Sequence, residues 1–498
     1  MAKSVPTVGH HGGVSKNATD AVVVGSGPNG LAAAIELARA GRSVVVYEAE
    51  DTIGGGCRSA ELTLPGFVHD TCSAIHSVAL VSPFIRSLPL ADLGVDFVHP
   101  QVPLAHPLDG GDAAVLARSV AETAAALGPD EAAYRRLMEP LVTNSANLAA
   151  EILGPIRLPR HPLALARFAP SGLRSASGLA RSKFKDRRAQ ALLGGLGAHS
   201  ILRLDQAITA GVGLVLGTFA HAVGWPAVRG GSQVLADAMA AYLRSLGGEI
   251  VTGTRIDSLT QLPRSGLIFL DVTPRQLVAI AGDRMPAGYL RRIGRYRYGP
   301  GAFKLDWALD GPIPWSAEAC RRAGTVHVAG TLEEVELSEE TVAKGGHPDK
   351  PFVLVVQQSV FDHTRAPAGK HTVWAYCHVP NGSTIAMTDQ IEAQVERFAP
   401  GFRDLILARH ITSPADMEKH NANYVGGDIN GGTQDIRQFF TRPIAKIVPY
   451  SVPLADPPPG CKGLYLCSSS TPPGGAVHGM CGYFAATAAL RALRRQGV

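Results

Sequence analysis

Metal-ligand spacing is missing from this 498-residue sequence. Its seven cysteines, Cys57, Cys72, Cys320, Cys377, Cys461, Cys467 and Cys481, are scattered and odd in number. That pattern argues against a zinc site and for a reducing, cytoplasmic setting. Charge is sparse as well, at 18 % of residues, and the formal net charge of +5 is too small to make nucleic acid the general partner. No Ser-His-Asp arrangement stands out. The first 18 residues hold Gly, Ser, Lys and His without an apolar run, so they read as a disordered tail and not a signal peptide. What remains is 46 % apolar and long enough for two domains or more, as expected of a soluble globular enzyme.

The most informative stretch is Ala21-Val-Val-Val-Gly-Ser-Gly-Pro-Asn-Gly30, followed by Leu31 to Gly41 and Ser43-Val-Val-Val-Tyr-Glu48. It reads as strand, phosphate turn, helix, strand and terminal acid. Gly25 permits the tight turn, Gly27 lets the main chain approach a pyrophosphate, and Gly30 lets the helix lie close to the sheet. Asn29 or Gly30 is expected to open the helix, whose free N–H groups face the phosphates. Leu31, Ala34, Ile35 and Ala38 recur at helical spacing, and Gly41 supplies the left-handed stop. Glu48, 18 residues past Gly30, is placed to accept hydrogen bonds from an unphosphorylated ribose. The pattern by itself fits NAD or FAD.

The rest of the chain divides around this unit. Asp51 to Ser59 contains three consecutive glycines and Arg58, a loop able to touch a cofactor's middle. Two helices are expected between Ser119 and Leu153, the first opened by a Ser119–Glu122 capping box and the second starting near Pro129. Residues 157–188 hold nine Lys or Arg against Asp186 alone. A solvated face and a patch that docks on anionic lipid are both open readings. Ala207 to Trp225 is nearly uncharged, but four glycines, His221 and Pro226 make it a buried helix or apolar tunnel wall. Residues 230–256 return as turn, helix and strand to the nucleotide sheet, and Leu267 to Pro274 adds a strand ended by Pro274. Phe303 to Leu309 alternates, with Phe303, Leu305, Trp307 and Leu309 on one face and Lys304 and Asp306 on the other. With Phe352–Gln358 and Thr372–Val379 it predicts a second, largely antiparallel sheet. Gly426 to Gly432 follows no apolar strand, so it is a loop, and nothing marks a separate nicotinamide domain. Finally Gly463 onward is strand, small-residue turn and a long helix to about Arg495, with the N–H groups of Ala476 and Val477 expected at that helix's start.

Taken together, Gly25-Ser-Gly-Pro-Asn-Gly30, Gly54-Gly-Gly-Cys-Arg58, Gly299 to Lys304 with Pro312 to Trp315, Gly426 to Gly432 and Ser470 to Gly479 resemble the flavoprotein superfamily of amine oxidases, phytoene desaturases and carotenoid isomerases. The resemblance runs from Ala21 to Leu493 and is nearest to the phytoene-dehydrogenase-like group. Two positions depart from the family pattern: Cys57 displaces the arginine to Arg58, and Ser468 stands where the last strand usually ends in glycine. The resemblance implies an α/β fold, with a Rossmann-type FAD domain from residues 19–106, 226–290 and 445–498. It also implies a discontinuous α+β substrate domain from 107–225 and 291–444 carrying a mixed or antiparallel sheet.

FAD is the implied cofactor, held by Gly25, Gly27, Pro28, Asn29, Gly30, Glu48, Gly55, Gly56, Cys57, Arg58, Ser73, Ile256, Thr471, Gly475, Ala476 and Val477. The implied reaction is dehydrogenation or desaturation of a lipophilic small molecule, with oxygen or a quinone taking the electrons. Flavin amine oxidase is an alternative, for which Trp374 and Tyr376 on one strand face are the hint. A non-redox flavin isomerase or an FAD-bearing binding protein is another. Lys304 stands where amine oxidases place a lysine that reaches the flavin through water, though pairing with Asp306 is the structural alternative. His478 is an acid or base beside the ring, or a capping residue. A cytoplasmic protein with peripheral membrane contact through 157–188 is the expected location.

Overall fold

The computed structural model describes residues 19–497; the expected tail at 1–18 lies outside them. Two sheets organise the chain. The first has six strands in the order Ser451–Val452, Gly463–Leu466, Ser265–Leu270, Thr19–Val24, Val44–Tyr47 and Glu249–Val251, all parallel except the first pair. Its central strands are continuous apolar runs because helices cover both faces. The helix Pro28–Arg39 lies on one side, with Leu31, Ala32, Ala33, Ala34 and Ile35 fully buried. It begins one residue before the expected range, because Gly27 takes the extended N-cap geometry and Pro28 fits the first helical position. Gly41 is left-handed at φ 74° as expected.

The C-terminal helix Met480–Arg495 packs on that first helix. Their contact is tight enough that a Cβ on Gly482 would fall 1.8 Å from the Asn29 carbonyl oxygen. Helices from near the two ends of the described residues thus meet beside the phosphate turn. The last helix starts at Met480, behind a left-handed Gly479, so Ala476 and Val477 precede it instead of forming its first turn.

The second sheet has seven strands in the order Ile406–Thr412, Gly301–Leu309, His371–Val379, Val353–Val356, Ala323–Val328, Val102–Leu108 and Asp112–Leu116. Every pairing is antiparallel except Ala323–Val328 with Val102–Leu108. The expected boundary at 106/107 therefore cuts a strand of this second sheet, since the apolar run Val102–Leu108 pairs with Ala323–Val328 and not with the nucleotide sheet. Phe303, Leu305, Trp307 and Leu309 do share one apolar core. The opposite face, carrying Lys304 and Asp306, is buried too.

Other expectations shift locally. Pro274 opens the helix Pro274–Ala281 and does not end the strand, which stops at Leu270. Between Ser119 and Leu153 the chain forms three helices, Val120–Ala126, Glu131–Thr143 and Ser145–Ile152. The break at Asn144 divides the second expected helix in two. Thr209–Val223 is a largely buried helix against Arg187–Ala198, and no helix among the described residues is long and apolar enough to cross a membrane. A buried cation joins the layers: Arg365 donates to Asp70 at 3.1 Å, Asp362 at 2.9 Å and the Val228 carbonyl at 3.1 Å.

Candidate active site

A single cavity runs from the phosphate turn into the second sheet. At its first end lie Val24, Gly25, Gly27, Pro28, Asn29 and Glu48. Gly25 sits at φ 99°, a conformation L side chains rarely adopt, and a Cβ on Gly30 would collide with the Gly25 carbonyl oxygen at 2.1 Å. Glu48 Oε2 accepts from the Ser26 N–H at 2.9 Å and its hydroxyl at 2.5 Å, while Oε1 accepts from the Glu50 N–H at 3.0 Å. The carboxylate therefore stands at the end of the second strand, tied to the turn it serves.

Sequence reasoning missed a second acid here. Asp271 follows the strand Ser265–Leu270, and its Oδ2 accepts the Gly30 N–H at 2.8 Å. A Cβ on Gly27 would meet that same oxygen at 2.8 Å. Burial raises the Asp271 carboxyl to about 7, the Gly30 bond opposes the rise, and the Glu48 charge adds to it. Its position was legible only as the residue after an apolar run neighbouring the first strand.

The middle of the cavity is lined by Gly55, Gly56, Cys57, Arg58, Ser73, Ile256, Ser468, Ala476 and Val477. Arg58 is buried and donates to the Gly55 carbonyl at 3.0 Å and the His420 carbonyl at 3.2 Å, so the displaced arginine still reaches the wall. A Cβ on Gly56 would fall 2.2 Å from the Tyr424 hydroxyl, so a larger residue there would have to displace that ring. Burial pushes the Cys57 thiol up, which keeps it protonated and a poor nucleophile. Gly30, Thr471 and Gly475 lie behind the lining: the Gly30 N–H is taken by Asp271, the Thr471 hydroxyl donates to Ser468 at 2.8 Å, and Gly475 packs on Asn430.

At the far end the walls are Leu216, Trp225, Leu354, Val356, Trp374, Tyr376, Thr325 and His199. Trp374 and Tyr376 meet edge to face, 5.1 Å between centroids at 83°. His199 Nε2 and His327 Nε2 share one hydrogen bond of 2.9 Å, so one ring donates and the other accepts. Burial lowers His199 to about 3, leaving it neutral. Leu216 and Trp225 belong to the segment expected as an apolar tunnel wall, whereas His199 escaped the sequence reading because it lies far from any motif.

The two residues expected to do chemistry stand elsewhere. Lys304 is not on the cavity wall; its ammonium bonds Asp306, with the Trp374 ring centroid 5.7 Å away. Burial and strand alternation turn it toward Asp306 and His69, whose Nδ1 is 3.5 Å from Asp306 Oδ1. His478 is also off the wall. Its Nδ1 accepts the Met480 N–H at 3.0 Å and its Nε2 donates to the Gly474 carbonyl at 3.2 Å, so both nitrogens are held by backbone groups.

A family model described as an NAD(P)-binding Rossmann-like domain matches residues 23–86. Pyridine nucleotide-disulfide oxidoreductase domain-containing protein 2 of Mus musculus is 26 % identical, over 95 % of this chain and 94 % of that protein. Phytoene desaturase (neurosporene-forming) of Rhodobacter capsulatus is 26 % identical over 51 % of each. The chain is a homologue of both. Among solved structures, an oxidoreductase from Methanosarcina mazei superposes with TM-score 0.62 at 15 % identity, covering 95 % of this chain and 100 % of that one. A putrescine oxidase triple mutant gives 0.60 at 17 %, covering 96 % and 99 %. These likenesses show a shared fold.

Proposed function

We propose that this flavin-type oxidoreductase dehydrogenates or desaturates a lipophilic small molecule. The observation that carries the reading is continuity: one cavity joins a dinucleotide turn to an apolar, aromatic chamber. The residues present fit FAD. Gly25 and Gly27 leave the main chain bare beside the turn, and Asn29 Oδ1 is buried with no partner among the described residues. Glu48 would hold the ribose, the turn the pyrophosphate, and the stretch from Gly55 to Arg58 with Ala476 and Val477 the ring system. Bound there, FAD supplies a two-electron acceptor.

The chain's own part is positioning and exclusion of water. Trp225, Trp374, Tyr376, Leu216, Leu354 and Val356 present apolar surface, and no carboxylate lies among them. Every acid on the wall, Glu48, Glu50, Asp257 and Asp271, is at the dinucleotide end. Among the described residues, a cationic substrate would find no counter-charge on the chamber wall. His199 and Thr325 offer single neutral hydrogen bonds, which suits a molecule with little polarity.

A flavin amine oxidase is the second reading, favoured by two aromatic rings on the chamber wall. Their edge-to-face geometry leaves no slot between parallel faces in which an amine would be held by both. Anaerobic mixing separates the readings. Lipophilic alkanes and alkenes are expected to bleach the yellow band near about 450 nm, with desaturated product. Bleaching by amines alone, with aldehyde and hydrogen peroxide on exposure to air, would replace desaturase with amine oxidase. Conversion without bleaching would make the protein an isomerase.

A further inference from the structure

Two surface stretches combine exposed apolar residues, basic residues and an absence of acid. No Asp or Glu occurs from Leu153 to Lys185, and none from Ile436 to Ala455. In the first stretch Ile156, Leu158 and Leu163 are exposed, Leu158 to 91 %, beside exposed Arg160 and Arg167. In the second, Ile447 is 98 % exposed, with Val448 and Lys446 next to it.

These stretches are distant in sequence but share one region of the surface. The Phe484 ring lies 3.1 Å from where a Cβ on Gly154 would be, and it stacks on Tyr450 with centroids 6.3 Å apart. Arg157 is close enough for its charge to act on the Tyr450 phenol. The loop at 154–158 and the loop at 445–448 therefore flank the same pair of rings.

We propose that this face docks on an anionic lipid bilayer. Single isoleucine and leucine tips that stand almost wholly in water suit insertion at the level of acyl chains, with Arg160, Arg167 and Lys446 left at the height of lipid phosphates. A second copy of the chain fits less well, because an isologous contact would set these cations against themselves, and the nearby acids among the described residues are already engaged, Glu151 by the Arg160 and His161 N–H groups and Asp456 by Arg284. The inference stands apart from the flavin reading, since lipid binding needs no turnover. If both hold, the docked face would bring a lipophilic substrate's source to the protein.

The test is sedimentation of the flavin-loaded full chain with vesicles of phosphatidylcholine, with or without about a third phosphatidylglycerol. Binding is expected with the anionic vesicles, about tenfold weaker or more without phosphatidylglycerol, and reduced by added salt. Leu158→Asp combined with Ile447→Asp is expected to weaken binding by about tenfold or more, with melting temperature and flavin content unchanged. Leu337→Asp, at an exposed leucine on the acidic helix Leu332–Ala343, serves as the control and leaves binding intact. Failure to sediment with anionic vesicles would overturn the proposal. So would equal loss in the control, or full binding by the double variant. Dissociation of a protein complex by the double variant, with vesicle binding intact, would assign the face to a protein partner instead.

Discussion

Asp271 Oδ2 accepts the Gly30 N–H at 2.8 Å, placing a buried carboxyl at the helix start that faces the dinucleotide end of the cavity. The acid is held near 7 in the fold against an ordinary 3.8, mainly by desolvation. A raised carboxyl makes the folded state the tighter proton binder, so stability falls as pH rises from about 4 to about 7 and stays low above it. Asp271→Asn keeps an oxygen for Gly30 and removes the ionisation. The variant is expected to melt with wild type near pH 4 and several degrees above it at pH 8. A variant that melts lower at pH 8 would mean the ionised form supports the turn.

Glu48 joins the second strand to the turn through Ser26 and lines the cavity where a ribose would lie. Glu48→Gln keeps the size and removes the charge of the acceptor. Flavin release is expected to rise, with Kd increased about tenfold or more, in keeping with about 1.5–3 kcal/mol for hydrogen bonds to a charged group. Fluorescence titration with FAD measures it. An unchanged Kd would take Glu48 out of cofactor binding.

The turn and the two carriers of the nucleotide sheet were readable because each rests on local rules. Gly25, Gly27 and Gly30 are forced by backbone approach, and Leu31 to Ala38 by helical period. The chamber was harder, since Leu216, Trp225 and His199 come from helices and loops brought together only by tertiary packing. Strand alternation did put Trp374 and Tyr376 on one face, yet alternation does not say whether that face meets core or cavity. The same limit applies to Lys304: its strand position was legible, while the direction of its ammonium was set by Asp306, two residues away. His478 looked like a residue beside a ring because the helix was expected to start at Ala476. The actual start at Met480, behind the N-cap Gly479, leaves it before the helix with its Nδ1 taken by the Met480 N–H.

Lys304 and Asp306 form a pair with both side chains at most 1 % exposed. Removing one partner strands a buried charge, a loss of about 3–5 kcal/mol, whereas removing both leaves none. Lys304→Met is therefore expected to lower the melting temperature strongly, and Lys304→Met with Asp306→Asn to recover most of it. Reoxidation of the reduced flavin by oxygen in the double variant is the decisive reading. Wild-type rates would confine Lys304 to structure, and a slow rate in a well-folded double variant would restore a role toward oxygen.

Gly482 lets the C-terminal helix Met480–Arg495 lie against the helix Pro28–Arg39. A Cβ there would meet the Asn29 carbonyl oxygen at 1.8 Å and the Ala33 nitrogen at 2.8 Å. Both are backbone atoms of the first helix, so no side chain can swing aside, and the terminal helix must move away. Movement would part Asn29 from Ser469, which it approaches at 3.5 Å, and widen the cavity between Pro28 and Ala476. Gly482→Ala is expected to destabilise by about 3 kcal/mol, toward the upper end for overpacking, and to lose flavin during purification. Gly288→Ala is the matched control, since a Cβ at Gly288 meets nothing within 4 Å in the helix Ala287–Ile293. That change should be neutral or add about 0.4–1 kcal/mol by stiffening the unfolded chain. Equal behaviour of the two variants in thermal melts and flavin content would mean that the helix contact at Gly482 does not hold the cofactor end of the cavity in shape.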